Sequence, residues 1–194
     1  MYLNEEDFNK IQRQVKLVEF DENYRINDFD SGYQDYNEFL TELAMECIEE
    51  SICKVYLLIS KVNADIIGYI TLSNDSIKLS EDEKGVHGLD SIPFRSVPAL
   101  KIGQLAVDKR YRKKCRGYGS YLIELAIGFA AKMNESEYGT VCRFITVDVD
   151  IRNDVKDERL TNFYIKNGFE FNEEHNRDKR KLTKSMRLDI LAGE

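Results

Sequence analysis

Two glycines, Gly117 and Gly119, stand between a strongly cationic segment and an amphipathic stretch of the sequence. The first backbone N–H groups of a helix have no intrahelical acceptor and point at bound anions, and glycine lets a phosphate approach the main chain. Lysine and arginine make up most of residues 109–116. A pyrophosphate with an additional ribose phosphate would use both features. An ordinary tight turn beside a solvated loop is the alternative, because so short a pattern is not specific.

Few other side chains offer nucleophilic or metal chemistry. Cys115 stands in the cationic segment, where a thiol pKa can fall. No histidine and carboxylate accompany it, so we do not expect a nucleophile. The four cysteines show no C-x-x-C spacing and are expected to be reduced thiols. His87 and His175 are the only histidines, so we expect no metal site.

The composition bounds the class of protein. A chain of 194 residues, 42% of them hydrophobic, can bury one ordinary core, and we expect a single domain over residues 1–194. No apolar run reaches the length of a membrane helix, and residues 1–16 lack the pattern of a signal peptide. These features predict a cytoplasmic protein. The net charge of −7 disfavours indiscriminate nucleic-acid binding, although residues 101–194 carry more cations than carboxylates.

Short apolar runs with polar flanks predict strands. They are residues 15–20, 55–59, 66–72, 100–107, 143–149, 169–171 and 183–190. The early strands follow one another directly and helices separate the later ones, so we expect a mixed sheet. Residues 74–99 are polar, carry both prolines, and are predicted to be a long loop with at most a small helix.

Helical spacing occurs in three segments. Ser31 and Gln34 have the S-x-x-Q spacing of a capping box. One predicted buried face near them consists of Tyr33, Tyr36, Leu40, Leu43 and Cys47. A second helix is predicted from Gly119, and a short one over residues 158–167 ends at Gly168, a plausible C-cap.

At this point the sequence resembles the GNAT superfamily of acetyltransferases. The residues that carry the resemblance to the central strand and the (Q/R)-x-x-G-x-(G/A) turn of that superfamily are Leu105-Ala106-Val107-Asp108, Tyr111 and Gly117-Tyr118-Gly119-Ser120. Lys114 occupies the Gln/Arg position of the turn, and Cys115 a position at which many members have glycine. Downstream, Asn162-Phe163-Tyr164 and Gly168-Phe169 are similar to the F-Y-x-x-x-G-F segment of the superfamily.

The resemblance implies an α/β (α+β) GNAT fold. In this fold helices flank a mixed sheet of about six to seven strands, and coenzyme A is held at a splayed strand pair. The backbone near Leu105, Ala106 and Val107 would pair with the pantetheine arm. The implied pyrophosphate-binding residues are Arg112, Lys114, Cys115, Arg116, Gly117, Tyr118, Gly119 and Ser120. Asn153 and Phe163 are further implied contacts of coenzyme A, although Asn153 could equally belong to a polar turn.

The same resemblance places Tyr164 beside the thioester sulfur. Transfer to an amine expels a thiolate, and a phenol at that position can give it a proton. The alternative is that Phe163 and Tyr164 are only the buried face of a short helix, and Phe163 is expected in the core in either case. The general base stays unassigned among Asp108, Glu124, His87 and a chain of water molecules.

The N-terminal part of the sequence is similar to a GNAT branch that includes bacterial toxins acetylating the amino group of aminoacyl-tRNA. The matching residues are Phe29-Asp30-Ser31-Gly32, Asn37-Glu38-Phe39-Leu40, Ala44 and Gly68-Tyr69-Ile70-Thr71-Leu72-Ser73. A cationic stretch at residues 177–184 could face RNA phosphates or be solvated. The negative net charge disfavours a polyanionic acceptor.

The sequence thus predicts an N-acetyltransferase that uses acetyl-CoA as co-substrate and no metal. The expected acceptor is a primary amine of a small molecule, peptide or protein. Acetylation of aminoacyl-tRNA and a non-catalytic acyl-CoA-binding module are the two alternatives. A homodimer is left open, and no membrane partner is expected.

Overall fold

A computed structural model describes residues 3–112, 117–137, 139–150, 158–173 and 182–192. Its strands are β1 (Val15–Glu19), β2 (Lys54–Ser60), β3 (Ile66–Lys78), β4 (Ser96–Val107), β5 (Phe144–Asp150), β6 (Glu170–Phe171) and β7 (Thr183–Asp189). Its helices are α1 (Glu5–Gln14), α2 (Gln34–Glu38), α3 (Ala44–Glu49), α4 (Glu81–Val86), α5 (Lys109–Arg112), α6 (Tyr118–Glu135) and α7 (Arg159–Lys166).

The strands form one seven-stranded sheet in the order β1-β2-β3-β4-β5-β7-β6. The pairing of β4 with β5 is parallel. The pairs β1–β2, β2–β3, β5–β7 and β6–β7 are antiparallel. The prediction of a mixed sheet flanked by helices is therefore confirmed.

The chain divides into two compact units. The first unit comprises Met1–Ser73 and Gly103–Leu125, and the second comprises Asn74–Ile102 and Ala126–Glu194. Each unit has an apolar cluster of its own. Tyr69 lies in that of the first unit, with its ring near the rings of Phe29 and Phe39. Phe144 is part of that of the second unit. The expectation of a single domain stays a prediction.

The prediction of a loop over residues 74–99 is wrong at both ends, whereas the small helix allowed within it is present. β3 continues to Lys78 and β4 begins at Ser96, with the short helix α4 between them. Alternation is present beyond Leu72, but it was hidden because the inward positions include polar residues. Asp75 is one of them, and its Oδ2 accepts a hydrogen bond of 2.6 Å from Thr146 Oγ1 on β5.

The predicted capping box at Ser31 is also wrong. The buried Ser31 hydroxyl lies 2.7 Å from Asn37 Oδ1, and α2 begins at Gln34 without a side-chain cap. A capping box does occur at Ser80, which opens α4: Glu83 N–H donates to Ser80 Oγ and Ser80 N–H donates to the Glu83 carboxylate. This serine and glutamate have the required spacing and directly precede a helix.

A π-helical turn, Phe39–Leu43, joins α2 to α3 and shifts the predicted buried face. Ala44 N–H donates to the Phe39 carbonyl, five residues earlier. One additional residue in a turn rotates the following side chains by about 100°. Leu40 and Ala44 are consequently buried, whereas Leu43 is 48% exposed.

The helix α1 was not predicted, because its sequence is mostly polar. The Asn4 side chain accepts a hydrogen bond from Asp7 N–H at its start, and three carboxylates follow in the first turn. Ile11 is buried, and the Phe8 ring lies 5.0 Å from the Tyr121 ring. α1 therefore packs against α6 within the first unit.

The described residues include neither a membrane-spanning helix nor a cluster of metal-binding side chains. None of their helices is long and apolar enough to cross a membrane. They contain no group of three or more His, Cys, Asp or Glu side chains that could hold a metal ion. Cys47, Cys53 and Cys142 are free thiols, and burial raises the pKa of Cys142 to about 11.

Candidate functional site

Gly117, in the first unit, directly precedes helix α6. The Gly117 carbonyl accepts a hydrogen bond of 2.7 Å from Tyr121 N–H, and its φ is +131°. An added Cβ would lie 3.2 Å from both Leu3 Cδ1 and Ile11 Cδ1. Glycine is thus required by the backbone conformation and favoured by the packing of the N-terminal segment. Gly119 and Ser120 are only half-buried, and amides in the first turn of a helix lack intrahelical acceptors.

Strand β4 leads to this turn through the three residues predicted to pair with the pantetheine arm. Ala106 is buried, while Leu105 and Val107 are partly exposed. A Cβ added to Gly68 on β3 would lie 2.6 Å from the Ala106 carbonyl oxygen. The two strands therefore approach too closely at this point for any other residue.

Thr71 and Gly103 mark an irregularity in the same pair of strands. Gln104 N–H donates to the Thr71 hydroxyl at 2.8 Å, and a Cβ on Gly103 would lie 2.8 Å from that oxygen. A buried side chain thus provides the acceptor for an amide of β4. Sequence reasoning missed Thr71, although a glycine inside a strand indicates a bulge or a close approach.

The parallel pairing of β4 with β5 ends just before this irregularity. It joins Ala99–Ile102 to Phe144–Val147, and both strands continue beyond it. The continuation of β4 from Gly103 belongs to the first unit, and that of β5 belongs to the second.

Tyr164 lies on α7, in the second unit, and is 7% exposed. Gly168 has a φ of +83° and donates its N–H to Ile165, while Phe169 N–H donates to the Tyr164 carbonyl at 3.0 Å. These two bonds make a Schellman motif, which confirms the C-cap predicted at Gly168. The Phe163 ring lies 5.1 Å from that of Tyr164, but Phe163 is only half-buried. The expectation that Phe163 is the core residue of the pair is wrong, since Tyr164 is the more buried.

Carboxylates of the same chain pair with two of the cationic residues that the structure describes at positions 109–112. Lys109 forms an ion pair with Asp30, and Arg110 Nη2 lies 2.8 Å from Asp108 Oδ2. The hydrogen bond from Lys109 is the largest cause that lowers the pKa of Asp30 to about 2. Arg112 donates to the Ser31 carbonyl, and its guanidinium lies 5.9 Å from the Tyr33 ring centre. Lys109 and Arg110 are therefore less available to an anionic ligand than the sequence indicated.

The three candidate bases differ in their surroundings. Asp108 is fully buried and accepts from Asp30 N–H and from Arg110. Burial opposes its ionisation, but those hydrogen bonds prevail and hold its pKa below the ordinary value. Such a carboxylate is a poor proton acceptor. Glu124 Oε1 accepts a bond of 3.3 Å from Leu3 N–H.

His87 belongs to a buried ionic cluster in the second unit. Its Nδ1 lies 2.9 Å from Asp189 Oδ2, and its Nε2 lies 2.8 Å from Glu170 Oε1 without hydrogen-bond alignment. Arg143 Nη2 also contacts Asp189, at 2.8 Å. These contacts are those of a residue that stabilises the fold, so they do not favour His87 as the general base.

Several predicted site residues cannot be placed. Lys114, Cys115, Arg116 and Asn153 lie outside the described residues, as do residues 177–181 of the second cationic stretch.

Comparisons with known proteins identify the fold. No protein-family model matches the sequence, and a search of curated proteins finds no relative. Among solved structures, AtaT complexed with acetyl-methionyl-tRNAfMet has a TM-score of 0.69 at 18% identity, over 90% of this chain and 94% of that chain. A tyrosine-to-phenylalanine mutant of KacT has a TM-score of 0.67 at 20% identity, over 91% and 95%. AtaTR bound with AcCoA has a TM-score of 0.63 at 18% identity, over 92% and 94%. The predicted GNAT fold is thereby confirmed.

Proposed function

We propose that this protein is an acetyl-CoA-dependent N-acetyltransferase that transfers the acetyl group to a primary amine of a small molecule, peptide or protein. The observation that carries the proposal is the turn at Gly117, whose backbone conformation needs glycine and which directly precedes α6, where Gly119 and Ser120 of the first turn are half-buried. A pyrophosphate fits such a turn, because its negative charge meets unpaired N–H groups and the positive end of the helix dipole. AcCoA is the ligand in one of the structures that share the fold.

The proposed chemistry is a direct acyl transfer. The acceptor nitrogen attacks the thioester carbonyl carbon, the carbon–sulfur bond breaks, and coenzyme A leaves as a thiolate. Tyr164 gives its phenolic proton to that sulfur, and the proton lost from the amine passes to a base or to water. The backbone near Leu105, Ala106 and Val107 holds the pantetheine arm, and the amides from Gly117 to Ser120 hold the pyrophosphate.

A small amine or peptide is the preferred acceptor because the charges disfavour a polyanion. The net charge is −7, and within the described residues Lys109 and Arg110 form internal ion pairs. Aminoacyl-tRNA is the second candidate, since AtaT is complexed with acetyl-methionyl-tRNAfMet in a structure of the same fold.

Two measurements on the purified protein test this function. Isothermal titration with acetyl-CoA should show saturable binding, and titration with adenosine under the same conditions should show none. An acceptor screen that follows release of the free coenzyme A thiol should then find at least one amine that stimulates turnover. Absence of acetyl-CoA binding would remove the proposal, and binding without turnover on any acceptor would favour a non-catalytic acyl-CoA-binding module.

A further inference from the structure

The short turn Asp30–Tyr33, here called the Asp30 turn, interlocks with the segment from Asp108 to Arg112. Asp30 N–H donates to Asp108 Oδ2 at 3.0 Å, and the Asp30 carbonyl accepts from Lys109 N–H at 2.8 Å. The Asp30 side chain accepts from Gly32 N–H at 2.7 Å and pairs with Lys109. The backbone and the side chain of one residue thus hold both segments.

Asp108 and Arg112 also hold the two segments together, from the side of the Asp108–Arg112 segment. The fully buried Asp108 accepts 2.7 Å and 3.0 Å hydrogen bonds from the N–H and the Nε–H of Arg110. Arg112 donates to the carbonyl of the buried Ser31. A carboxylate with this many donors fixes the direction in which the chain leaves β4.

Gly32 is the tightest point of the contact. Its φ is +78°, and a Cβ added to it would lie 3.2 Å from Arg112 Nη2. A larger residue would both strain the backbone of the turn and push against the Arg112 guanidinium.

Tyr111 also contacts the start of α6. The Tyr111 ring lies 6.3 Å from the Tyr118 ring in an edge-on arrangement, and the Tyr111 hydroxyl donates to Asp65 at 2.7 Å. Tyr118 is the first residue of α6 and follows Gly117 directly. A displacement of Arg112 would therefore be transmitted to the turn proposed to bind pyrophosphate.

We infer that the Asp30 turn, through Asp108 and Arg112, positions the start of α6, where the pyrophosphate is proposed to bind. The inference rests on the proposed function, because it concerns the affinity for the phosphates of acetyl-CoA. It assigns a role to Phe29-Asp30-Ser31-Gly32, which carries part of the resemblance to tRNA-acetylating toxins. In this chain that motif serves the co-substrate and says little about the acceptor.

The chain offers a matched pair of glycines for the test. Gly88 has a φ of +66°, similar to that of Gly32, and nothing lies within 4 Å of an added Cβ. Gly32→Ala and Gly88→Ala should thus strain the backbone alike, and only the first should displace Arg112. The Kd of each folded variant is measured for acetyl-CoA and for acetyl-pantetheine, which has the thioester and lacks the nucleotide phosphates.

We expect Gly32→Ala to raise the Kd for acetyl-CoA about tenfold or more and to leave that for acetyl-pantetheine within about twofold, as misplacement of a positioning group does. Gly88→Ala should leave both Kd values at the wild-type level. An equal Kd for acetyl-CoA in the two variants, or an equal loss for both ligands in Gly32→Ala, would overturn the inference. Failure of the wild-type protein to bind acetyl-CoA would instead overturn the proposed function, and the inference with it.

A second pair of variants applies if Gly32→Ala does not fold. Asp30→Ala removes the acceptor for Gly32 N–H, whereas Asp30→Asn keeps an acceptor oxygen at that position. Recovery of the wild-type Kd for acetyl-CoA in Asp30→Asn, with a raised Kd in Asp30→Ala, is the expected result. Equal Kd values for Asp30→Ala and the wild-type protein would contradict the inference.

Discussion

Tyr164 and Phe169 are joined twice, by backbone and by side chain. Phe169 N–H donates to the Tyr164 carbonyl at 3.0 Å, and their rings lie 5.2 Å apart at an interplanar angle of 74°. The C-cap that ends α7 therefore also holds the tyrosine ring, since a hydrophobic contact of this kind accompanies the Schellman motif. The spacing between the tyrosine and the Gly-Phe pair has a structural reason independent of catalysis.

Tyr164→Phe should lower kcat by about 10² or more and leave the Kd for acetyl-CoA nearly unchanged. The change keeps the ring packed on Phe169 and removes only the hydroxyl that would give its proton to the thiolate. Steady-state thiol release and isothermal titration measure the two quantities. The matched control is Tyr24→Phe, the same change at a partly buried tyrosine packed on the apolar cluster of the first unit, which should leave kcat unchanged. Wild-type turnover in Tyr164→Phe would show that the tyrosine is structural.

Gly168→Ala should destabilise the protein by about 1 kcal/mol or more, because its φ of +83° is strained for alanine. Gly128→Ala is the control, and it should change the free energy of unfolding in the opposite direction. Gly128 lies inside α6 with nothing within 4 Å of an added Cβ, so alanine should stabilise by roughly 0.5–1 kcal/mol. Urea unfolding of both variants measures the difference. Equal free energies of unfolding for the two variants would contradict the left-handed C-cap.

Gly119→Asp should abolish acetyl-CoA binding, because it places a carboxylate in the first turn of α6, where the pyrophosphate is proposed to lie. Gly119→Ala adds a methyl group without charge and should lose less affinity. Both variants must keep the wild-type circular dichroism spectrum. Unchanged affinity in a folded Gly119→Asp variant would remove the assignment of this turn.

Arg187→Leu should destabilise the protein by about 3–5 kcal/mol at pH 7, as loss of one partner from a buried ion pair does. The Arg187 and Glu83 side chains are 4% and 9% exposed, and Arg187 Nη1 lies 2.5 Å from Glu83 Oε1. Burial opposes ionisation of Glu83, yet hydrogen bonds from Ser80 and Arg187 hold its pKa below the ordinary value.

The effect of pH on the stability of Arg187→Leu follows from the lowered pKa of Glu83. In the wild-type protein this pair stabilises above the ordinary pKa of Glu83, about 4.3, and the contribution is lost as the pH falls through the lowered pKa. Without Arg187 a cause that lowers the pKa of Glu83 is lost, so this pKa rises relative to the wild-type protein and protonation removes the unpaired charge more readily. The difference in free energy of unfolding between Arg187→Leu and the wild-type protein, measured by urea unfolding, should thus shrink from pH 7 to pH 4. A gap that widens on acidification would contradict this account.

The salt dependence of turnover distinguishes a small-amine acceptor from a tRNA acceptor. With a small amine, turnover should change by less than about threefold between about 50 and 200 mM salt, whereas a tRNA acceptor predicts a loss of about 10³-fold. Replacement of Lys179, Arg180 and Lys181 by serine should spare small-amine acetylation. A steep salt dependence with acetylated aminoacyl-tRNA as product, lost in the triple variant, would show that aminoacyl-tRNA is the acceptor.

Local signals in the sequence were sufficient for most elements and for the chemistry of the turn. Short apolar runs over residues 55–59 and 66–72 predicted β2 and the first half of β3, and Gly168 predicted the end of α7. These features depend on neighbours a few residues apart, so the order of residues determines them. The same holds for Gly117, where a glycine before a helix indicates a special backbone conformation.

Tertiary structure decided which polar residues are buried and which cations stay available. Nothing local indicates that Arg187 on β7 is buried against Glu83 on α4, or that Lys109 and Arg110 are neutralised by Asp30 and Asp108. Such pairs join residues far apart in the chain, and their energy depends on burial and geometry that exist only in the folded state. The sequence by itself determined a GNAT-like order of strand, turn and helix; the fold decided that the Asp30 turn lies against Asp108, Lys109 and Arg112.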